Sequence, residues 1–448
     1  MAPVAPVLEA AVNSASSGPV TLASAQLGTV QLSWPFLPAG NPILEGRAIA
    51  FVESLFGLVP GANQKDELAQ YLALSTATHA LDGWRYISQA ALSLLSGSKT
   101  QSVHLAYYAE LRAALAILAS SGVGILNAKH FAMSANKDVA WFGGIKTHDA
   151  TWSAIKHWAR QPGHGLEILR CFSSLGLTGE DWAEACGATS TATLQDIAEY
   201  WVSDWTVDLS TLSRDRRLRN EASYRPNLRS DALDLTSEAD LRFVRDVCAA
   251  SIPIDHGEFD VVDRAIVYDL FKKSYQLLQV SGGATFLRFR EAMVDWIEKK
   301  TGKPKPEAIQ MIDALRTAFR GQGGDLVTRA RRNSDATGVF SRAFLLLRLA
   351  SALVRLQWKE ARLLRSPQEW QDQLLVSYAS QALLHDHKSP TKNYTIFAAD
   401  QEQAIEEIDG WMSENVSAFN PYTLWDKQSH SLVNLCKFER IGAVAVAI

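Results

Sequence analysis

The order of apolar and polar residues predicts helices along most of the chain. Within residues 48–58, and again within 108–118, apolar side chains recur every three or four positions, which is the period of an amphipathic α-helix. Residues 341–364 carry apolar side chains on most faces, so we expect a helix at the centre of the second half. The same periodicity predicts further helices at 148–158, 191–201, 261–279, 284–300, 307–320, 369–384 and 401–412.

Three stretches depart from this helical period. Residues 1–45 are rich in Ala, Val, Ser, Pro and Gly and nearly uncharged, and 20–22 and 29–34 within them are typical of short strands. Residues 122–144 place apolar side chains beside Gly and Asn, which indicates a loop with a short hairpin. The small and β-branched residues of 441–448 predict one more strand. We therefore expect a mainly α protein with a small β-containing N-terminal extension.

The length of 448 residues predicts two or three domains, because a typical domain has about 100–200 residues. We place an N-terminal extension with short strands at 1–45, a first helical domain at 46–255 and a C-terminal helical domain at 256–448. The predicted architecture is thus two helical halves preceded by the extension.

Composition and charge narrow the class of protein. The chain has 44 Lys and Arg against 48 Asp and Glu, a net charge of -4, which excludes a highly basic nucleic-acid coat but leaves room for a local basic site. Its four cysteines include no Cys-x-x-Cys pair, so we expect reduced thiols in the cytoplasm. No apolar stretch has the length and lack of charge of a membrane span, and no membrane partner is expected.

One short segment concentrates positive charge. Residues 213–229 contain six arginines and two acids. If the segment is helical, Arg216, Asn220 and Tyr224 fall on one face, because they are four residues apart. The planar guanidinium suits the two oxygens of a phosphate, and a tyrosine ring offers a face on which a base can stack. Just upstream, Trp201 and Trp205 are one turn apart and are expected to pack the supporting helix.

Arg219-Asn-Glu-Ala-Ser-Tyr224 resembles the Arg-Asn-x-x-x-His motif of the HEPN superfamily, all-helical proteins that are often metal-independent ribonucleases. The wider stretch is also similar to the YaaC-like bacterial proteins, and the similarity extends over residues 107–229, including Tyr107-Tyr-Ala-Glu-Leu-Arg-Ala-Ala and Lys129-His-Phe. The resemblance implies a HEPN-like bundle, frequently a homodimer, that acts on RNA without a metal or other cofactor.

The resemblance also assigns roles within the segment. It implies Arg219, Asn220 and Tyr224 as the catalytic positions. Further arginines would attract the phosphates of RNA, and these are Arg216, Arg217, Arg225 and Arg229. Tyr224 stands where the family has its histidine. An unperturbed tyrosine has a pKa of about 10 and is a poor general base near neutral pH, so the motif favours the fold more firmly than the activity.

Other groups offer weaker chemistry. His148-Asp149 resembles the doublet of HD-type metal phosphohydrolases, and His385-Asp-His387 could bind a cation. Residues 321–325 are glycine-rich but lack a P-loop lysine, which indicates a hinge or helix cap. A second basic cluster could line an RNA-facing groove or pair with nearby aspartates; it comprises Arg316, Arg320, Arg329, Arg331, Arg332, Arg342, Arg348 and Arg355.

Our leading hypothesis is a bacterial, cytoplasmic HEPN-like protein that engages RNA or another phosphate-bearing ligand, as a ribonuclease effector of antiviral defence or stress response. The main alternative is a non-catalytic helical scaffold that binds a partner protein and in which Tyr224 records a lost histidine. A phosphohydrolase with a metal at His148-Asp149 is the third reading. An Arg-rich helix end is also commonly a solvated face or an internal ion-pair network, and this reading stays open.

Overall fold

A computed structural model gives the fold. It describes residues 4–27, 32–33, 37–38, 48–205, 236–252, 259–282, 285–332, 335–364, 390–415 and 419–447.

Helices dominate the part of the chain before residue 206. They are α1 (Val4–Ser14), α2 (Gly18–Leu27), α3 (Ala48–Leu55), α4 (Ala62–Leu95), α5 (Lys99–Ser120), α6 (Thr147–Ala159), α7 (His164–Arg170), α8 (Gly179–Ala185) and α9 (Thr191–Trp205).

Helices also make up almost all of what the structure describes after residue 235. They are α10 (Glu238–Ser251), α11 (Asp260–Gly282), α12 (Phe286–Thr301), α13 (Lys305–Arg320), α14 (Gln322–Arg332), α15 (Ala336–Leu364), α16 (Pro390–Glu414), α17 (Pro421–Leu435) and α18 (Phe438–Ala447). The mainly α prediction is confirmed.

Three small antiparallel sheets complete the described structure. The strands are β1 (Leu32–Ser33), β2 (Leu37–Pro38), β3 (Val123–Gly124), β4 (Lys129–Met133), β5 (Val139–Gly143), β6 (Ser173–Ser174) and β7 (Leu177–Thr178). β1 pairs with β2, β3–β5 form a meander and β6 pairs with β7. The meander, in which Phe131 lies opposite Trp141, confirms the hairpin predicted within 122–144.

The centre of the molecule is a bundle of α4, α5 and α15. Alanines and Gly83 line the contact and let the backbones approach closely: a β-carbon built on Gly83 would lie 2.4 Å from Leu347 Cδ2 and 3.3 Å from the carbonyl oxygen of Ala109. The helix predicted at 341–364 is therefore confirmed, in α15, and it is central. Its packing on α4 and α5 joins the two predicted halves, while the domain boundaries themselves stay predictions.

A tight turn sets α4 and α5 antiparallel. Gly97 has φ +79°, a left-handed conformation that favours glycine, and it reverses the chain between the two helices. Gly122, at φ +90°, follows the end of α5. A β-carbon there would lie 2.5 Å from the carbonyl oxygen of Ser16, so α1 and α2 approach the bundle where a side chain would not fit.

Two of the predicted strands are wrong. Residues 20–22 lie in α2, whose small side chains are buried against α4 and α15; Pro19 sits in its first turn, where proline is tolerated. Residues 441–447 lie in α18, where Gly442 is pressed against the ring of Trp84. In both segments, burial on a helical bundle overrides the strand preference of β-branched residues. The N-terminal prediction holds at β1 and β2.

Among the described residues, no helix combines the length and apolar character that crossing a bilayer requires.

Candidate functional site

The predicted Arg-rich site lies outside the described residues. The described chain stops at Trp205 and resumes at Thr236. All seven predicted site positions fall between these two ends: Arg216, Arg217, Arg219, Asn220, Tyr224, Arg225 and Arg229. The doublet of histidines at 385 and 387 also lies outside the described residues. Their roles therefore stay predictions, and the surroundings of the segment's two ends carry the structural information.

The end at α9 is anchored in the core. Trp201 and Trp205 are buried, and their rings stack with centroids 5.5 Å apart and 9° between planes. Trp201 Nε1 also donates a hydrogen bond to Asp269 Oδ2 at 3.0 Å. The prediction that these tryptophans pack α9 is confirmed. At the other end, Thr236 Oγ1 donates to the carbonyl oxygen of Leu95, which fixes the chain to the C-terminal end of α4.

Arg331 is held by an ion-pair network beside the end of α9. Its Nε donates to Asp204 Oδ2 at 2.6 Å and its Nη2 donates to Asp269. The guanidinium also lies over the ring of Tyr200, 4.9 Å from the centroid. Burial, followed by the charge of Asp269, raises the pKa of Tyr200 to about 12. The cluster thus ties α9 to α11 and α14.

Several other arginines of the second basic cluster also pair with carboxylates. Arg329 Nε lies 2.6 Å from Asp325. Arg342 lies 3.4 Å from Glu110 and Arg348 lies 2.6 Å from Asp263, and both pairs are buried. These three arginines are thus held in internal ion pairs, as the pairing alternative expects, although only Arg329 pairs with an aspartate nearby in sequence. Arg316 and Arg320, on α13, stay exposed.

A different set of side chains lies on α5. His104, Tyr108 and Arg112 are spaced by four residues along α5, so they share one face of the helix. All three are partly exposed. We call this set the α5 stripe. It places an imidazole, a phenol ring and a guanidinium in a row along the antiparallel α4–α5 pair.

Neighbouring rings extend the stripe into an aromatic–histidine cluster. Tyr108 stacks on Tyr86 of α4, with centroids 5.6 Å apart and 27° between planes, and meets His104 edge-on at 4.9 Å. Tyr107 and His148 lie beside Tyr108, at 6.0 and 6.4 Å. The cluster comprises Tyr86, His104, Tyr107, Tyr108, His148 and Trp152. It joins three elements, α4, α5 and α6, at one partly exposed surface.

Hydrogen bonds orient the inner side of this cluster. Trp152 Nε1 donates to the hydroxyl oxygen of Tyr107 at 3.3 Å, and the same oxygen lies 2.9 Å from His148 Nδ1. The Tyr107 hydroxyl oxygen thus accepts from the indole, which can only donate, and bridges it to the imidazole of His148. Tyr107 and Trp152 are buried and His148 is partly exposed. The imidazole is thus fixed from the inside of the molecule.

The positive charge of Arg112, at one end of the α5 stripe, is only partly balanced by its neighbours. Arg112 Nη1 lies 2.8 Å from His79 Nδ1, while Asp82 is 4.0 Å from Arg112 Nη2. Burial, together with the charge of Arg112, lowers the pKa of His79 to about 3. His79 is therefore a neutral acceptor at physiological pH, and it orients the guanidinium without cancelling its charge. The Arg112 side chain is 32% exposed.

The predicted metal doublet His148-Asp149 and the glycine-rich residues 321–325 have structural roles within the fold. His148 contacts Tyr107, and Asp149 lies in the first turn of α6, where an acidic side chain favours the helix dipole. Across the described ranges, no group of three or more His, Cys, Asp or Glu is placed to hold a metal ion. Of residues 321–325, predicted as a hinge or helix cap, Gly321 is the C-cap of α13. Residues 322–325 are the first turn of α14, with Gly323 pressed against the carbonyl oxygen of Val261.

Sequence reasoning named Tyr107, Tyr108 and Arg112 only as part of a resemblance and missed the stripe. The spacing of His104, Tyr108 and Arg112 is visible in the sequence. The contribution of Tyr86 and His79 is not, because it depends on how α4 lies against α5. Comparison of the chain with protein-family models, with curated proteins and with solved structures finds no match.

Proposed function

We propose that the protein engages RNA or another phosphate-bearing ligand, with the α5 stripe and the Arg-rich segment as its contact groups. The observation that carries the proposal is the row of His104, Tyr108 and Arg112 on one partly exposed helix face. Aromatic rings next to a guanidinium are the groups with which proteins bind the bases and phosphates of single-stranded nucleic acid.

The Arg-rich segment supplies the electrostatic part of this function. In the proposal, Arg219 clamps a phosphate, Asn220 orients it, and Tyr224 stacks on a base or donates its hydroxyl proton. The surrounding arginines attract the polyanion; they are Arg216, Arg217, Arg225 and Arg229. The resemblance to HEPN proteins adds the hypothesis that the bound RNA is cut without a metal, in a bacterial defence or stress response.

Salt-dependent binding to labelled RNA tests the proposal. We expect the full-length protein to bind an RNA oligonucleotide with an affinity that falls as salt rises from 50 to 200 mM, because each neutralised phosphate releases counterions. Arg219→Ala should weaken the binding and abolish any cleavage, and a chelator should leave cleavage unchanged. Absence of binding at the lowest salt concentration, by a folded protein, would overturn the proposal.

The tyrosine at position 224 favours a second function, a non-catalytic protein that binds a partner. Without the histidine of the family motif, the chain lacks the group that exchanges protons near neutral pH at that position. Such a protein would bind no RNA, so Arg219→Ala would change nothing in an RNA-binding assay. It would instead co-purify with a defined partner from its own host.

A further inference from the structure

We propose that the aromatic–histidine cluster is a stacking platform for unpaired bases, so that the ligand is single-stranded RNA rather than a duplex or a simple phosphate. This inference rests on the proposed function and specifies its substrate class. The residues that would meet the bases are the partly exposed rings of Tyr86, His104 and Tyr108.

The rings of Tyr86, His104 and Tyr108 contact one another and each is partly exposed. Tyr108 stacks on Tyr86 at 5.6 Å and meets His104 at 4.9 Å, so the three rings form a continuous aromatic patch along two helices. All three keep part of their surface in solvent, whereas Tyr107 and Trp152 behind them are buried. The buried pair supports the patch, and in the proposal the solvent-facing parts of the three rings meet the bases.

The charge next to the patch fits a nucleic-acid strand. Arg112 follows Tyr108 by one helical turn, about 6 Å along the helix axis, and its side chain is 32% exposed. Because His79 is a neutral partner, the guanidinium retains the charge that a phosphate requires. A strand lying along α5 would thus place a base against Tyr108 and a phosphate near Arg112.

The chemistry distinguishes unpaired from paired RNA. In a duplex, neighbouring bases cover the faces of each base, and proteins contact the grooves and the backbone instead. Only an unpaired base can offer its face to Tyr108. Stacking on an aromatic side chain contributes about 5- to 150-fold in affinity per base, so loss of one ring is measurable in a direct binding assay.

The experiment measures fluorescence anisotropy of the full-length protein with three labelled probes of equal length at 100 mM salt. The probes are a single-stranded 12-mer RNA, a backbone of the same charge without bases, and a 12-base-pair RNA duplex. We expect the single strand to bind at least about tenfold more tightly than either control. We also expect Tyr108→Leu to reduce binding of the single strand about tenfold and to leave binding of the baseless backbone unchanged.

Two further variants separate stacking from folding. Tyr108→Phe keeps the ring and should bind as the unmodified protein does. Tyr422→Ala removes a tyrosine that is 70% exposed on α17, outside the cluster, and should also have no effect. If Tyr108→Leu fails to fold, Tyr86→Leu, which removes the ring on which Tyr108 stacks, tests the same patch and should show the same selective loss of single-strand binding.

The possible failures are distinguishable. Equal binding of all three probes would overturn the stacking platform while leaving phosphate binding intact. Loss of affinity in Tyr422→Ala equal to that in Tyr108→Leu would also overturn it. Binding of none of the probes would overturn the proposed function itself.

Discussion

Arg348 on α15 and Arg112 on α5 both belong to the central helices, yet their surroundings differ in every respect that matters for function. Arg348 is 1% exposed and donates to both oxygens of Asp263, at 3.0 and 2.6 Å. Its guanidinium also lies between the rings of Phe172 and Phe259. Arg112 is 32% exposed, and its closest partner is the neutral ring of His79.

The environments of Arg348 and Arg112 separate arginines that stabilise the fold from arginines that can contact a ligand. A buried guanidinium that is paired with a carboxylate and lies over two aromatic rings is held inside the protein, so Arg348 is part of the framework. A half-exposed guanidinium oriented by a neutral histidine keeps its charge for a ligand. Counting arginines in the sequence cannot make this distinction, whereas their partners can.

The largest expected effect is the loss of the buried pair. Arg348→Ala removes the guanidinium that pairs with the buried Asp263 carboxylate, and we expect the free energy of unfolding to fall by about 3–5 kcal/mol. Chemical denaturation measures this change. Replacing both partners, as Arg348→Met with Asp263→Leu, should recover most of it, because no charge is left stranded. A loss below about 1 kcal/mol in the single variant would show that Arg348 is not a framework residue.

The next effect concerns the close contact of α4 with α5 and α15 at Gly83. Gly83→Ala forces a methyl group to within 2.4 Å of Leu347, and we expect a loss of stability of about 1–3 kcal/mol from overpacking. Gly410→Ala on α16 is the matched control, since nothing lies within 4 Å of its added β-carbon. That change should stabilise the protein by up to about 1 kcal/mol. Equal effects at the two glycines would refute the close three-helix contact.

The pH dependence of stability tests the neutral histidine. The pKa of His79 is about 3 in the folded protein against 6.5 for a free side chain, so between these values the unfolded chain binds the extra proton. The contribution of neutral His79 to the free energy of unfolding is therefore fully present above pH 6.5 and is lost as the pH falls toward 3. His79→Gln, which keeps a hydrogen-bond acceptor for Arg112, should flatten this part of the profile. Identical profiles for the two proteins would contradict a neutral His79.

The smallest effect on stability is expected for Arg112→Gln, which should instead change the salt dependence of RNA binding. Arg112→Gln retains a donor for His79, so we expect a stability change within about 0.5 kcal/mol. The slope of log affinity against log salt for single-stranded RNA should decrease by about 0.7, the loss of one phosphate contact. Arg316→Gln, on the exposed face of α13, is the control and should leave the slope unchanged. If the salt slope decreased in Arg316→Gln and not in Arg112→Gln, the phosphate contact would lie outside the α5 stripe.

Sequence alone predicted the elements better than the contacts. Periodicity located the central helix at 341–364, observed as Ala336–Leu364. The strands predicted from composition at 20–22 and 441–448 were wrong, because short runs of small and β-branched residues fit a strand or a buried helix equally well.

The site was predictable only in its local part. The four-residue spacing of His104, Tyr108 and Arg112 is a property of the sequence. The partners across the helices are not, since the partner of Arg348 lies 85 positions away and His79 meets Arg112 only through the antiparallel packing of α4 on α5. The Arg-rich segment and its proposed phosphate contacts stay predictions.

Photo-cross-linking can locate the surface of the protein that contacts RNA. Single-stranded RNA carrying 4-thiouridine is bound to the full-length protein, irradiated, and the attached residues are identified by mass spectrometry. We predict cross-links at Tyr86, His104 or Tyr108, lost in Tyr108→Leu and retained in Tyr422→Ala. Cross-links confined to other surfaces, with these three residues unmodified, would contradict the proposal that the α4–α5 face binds RNA.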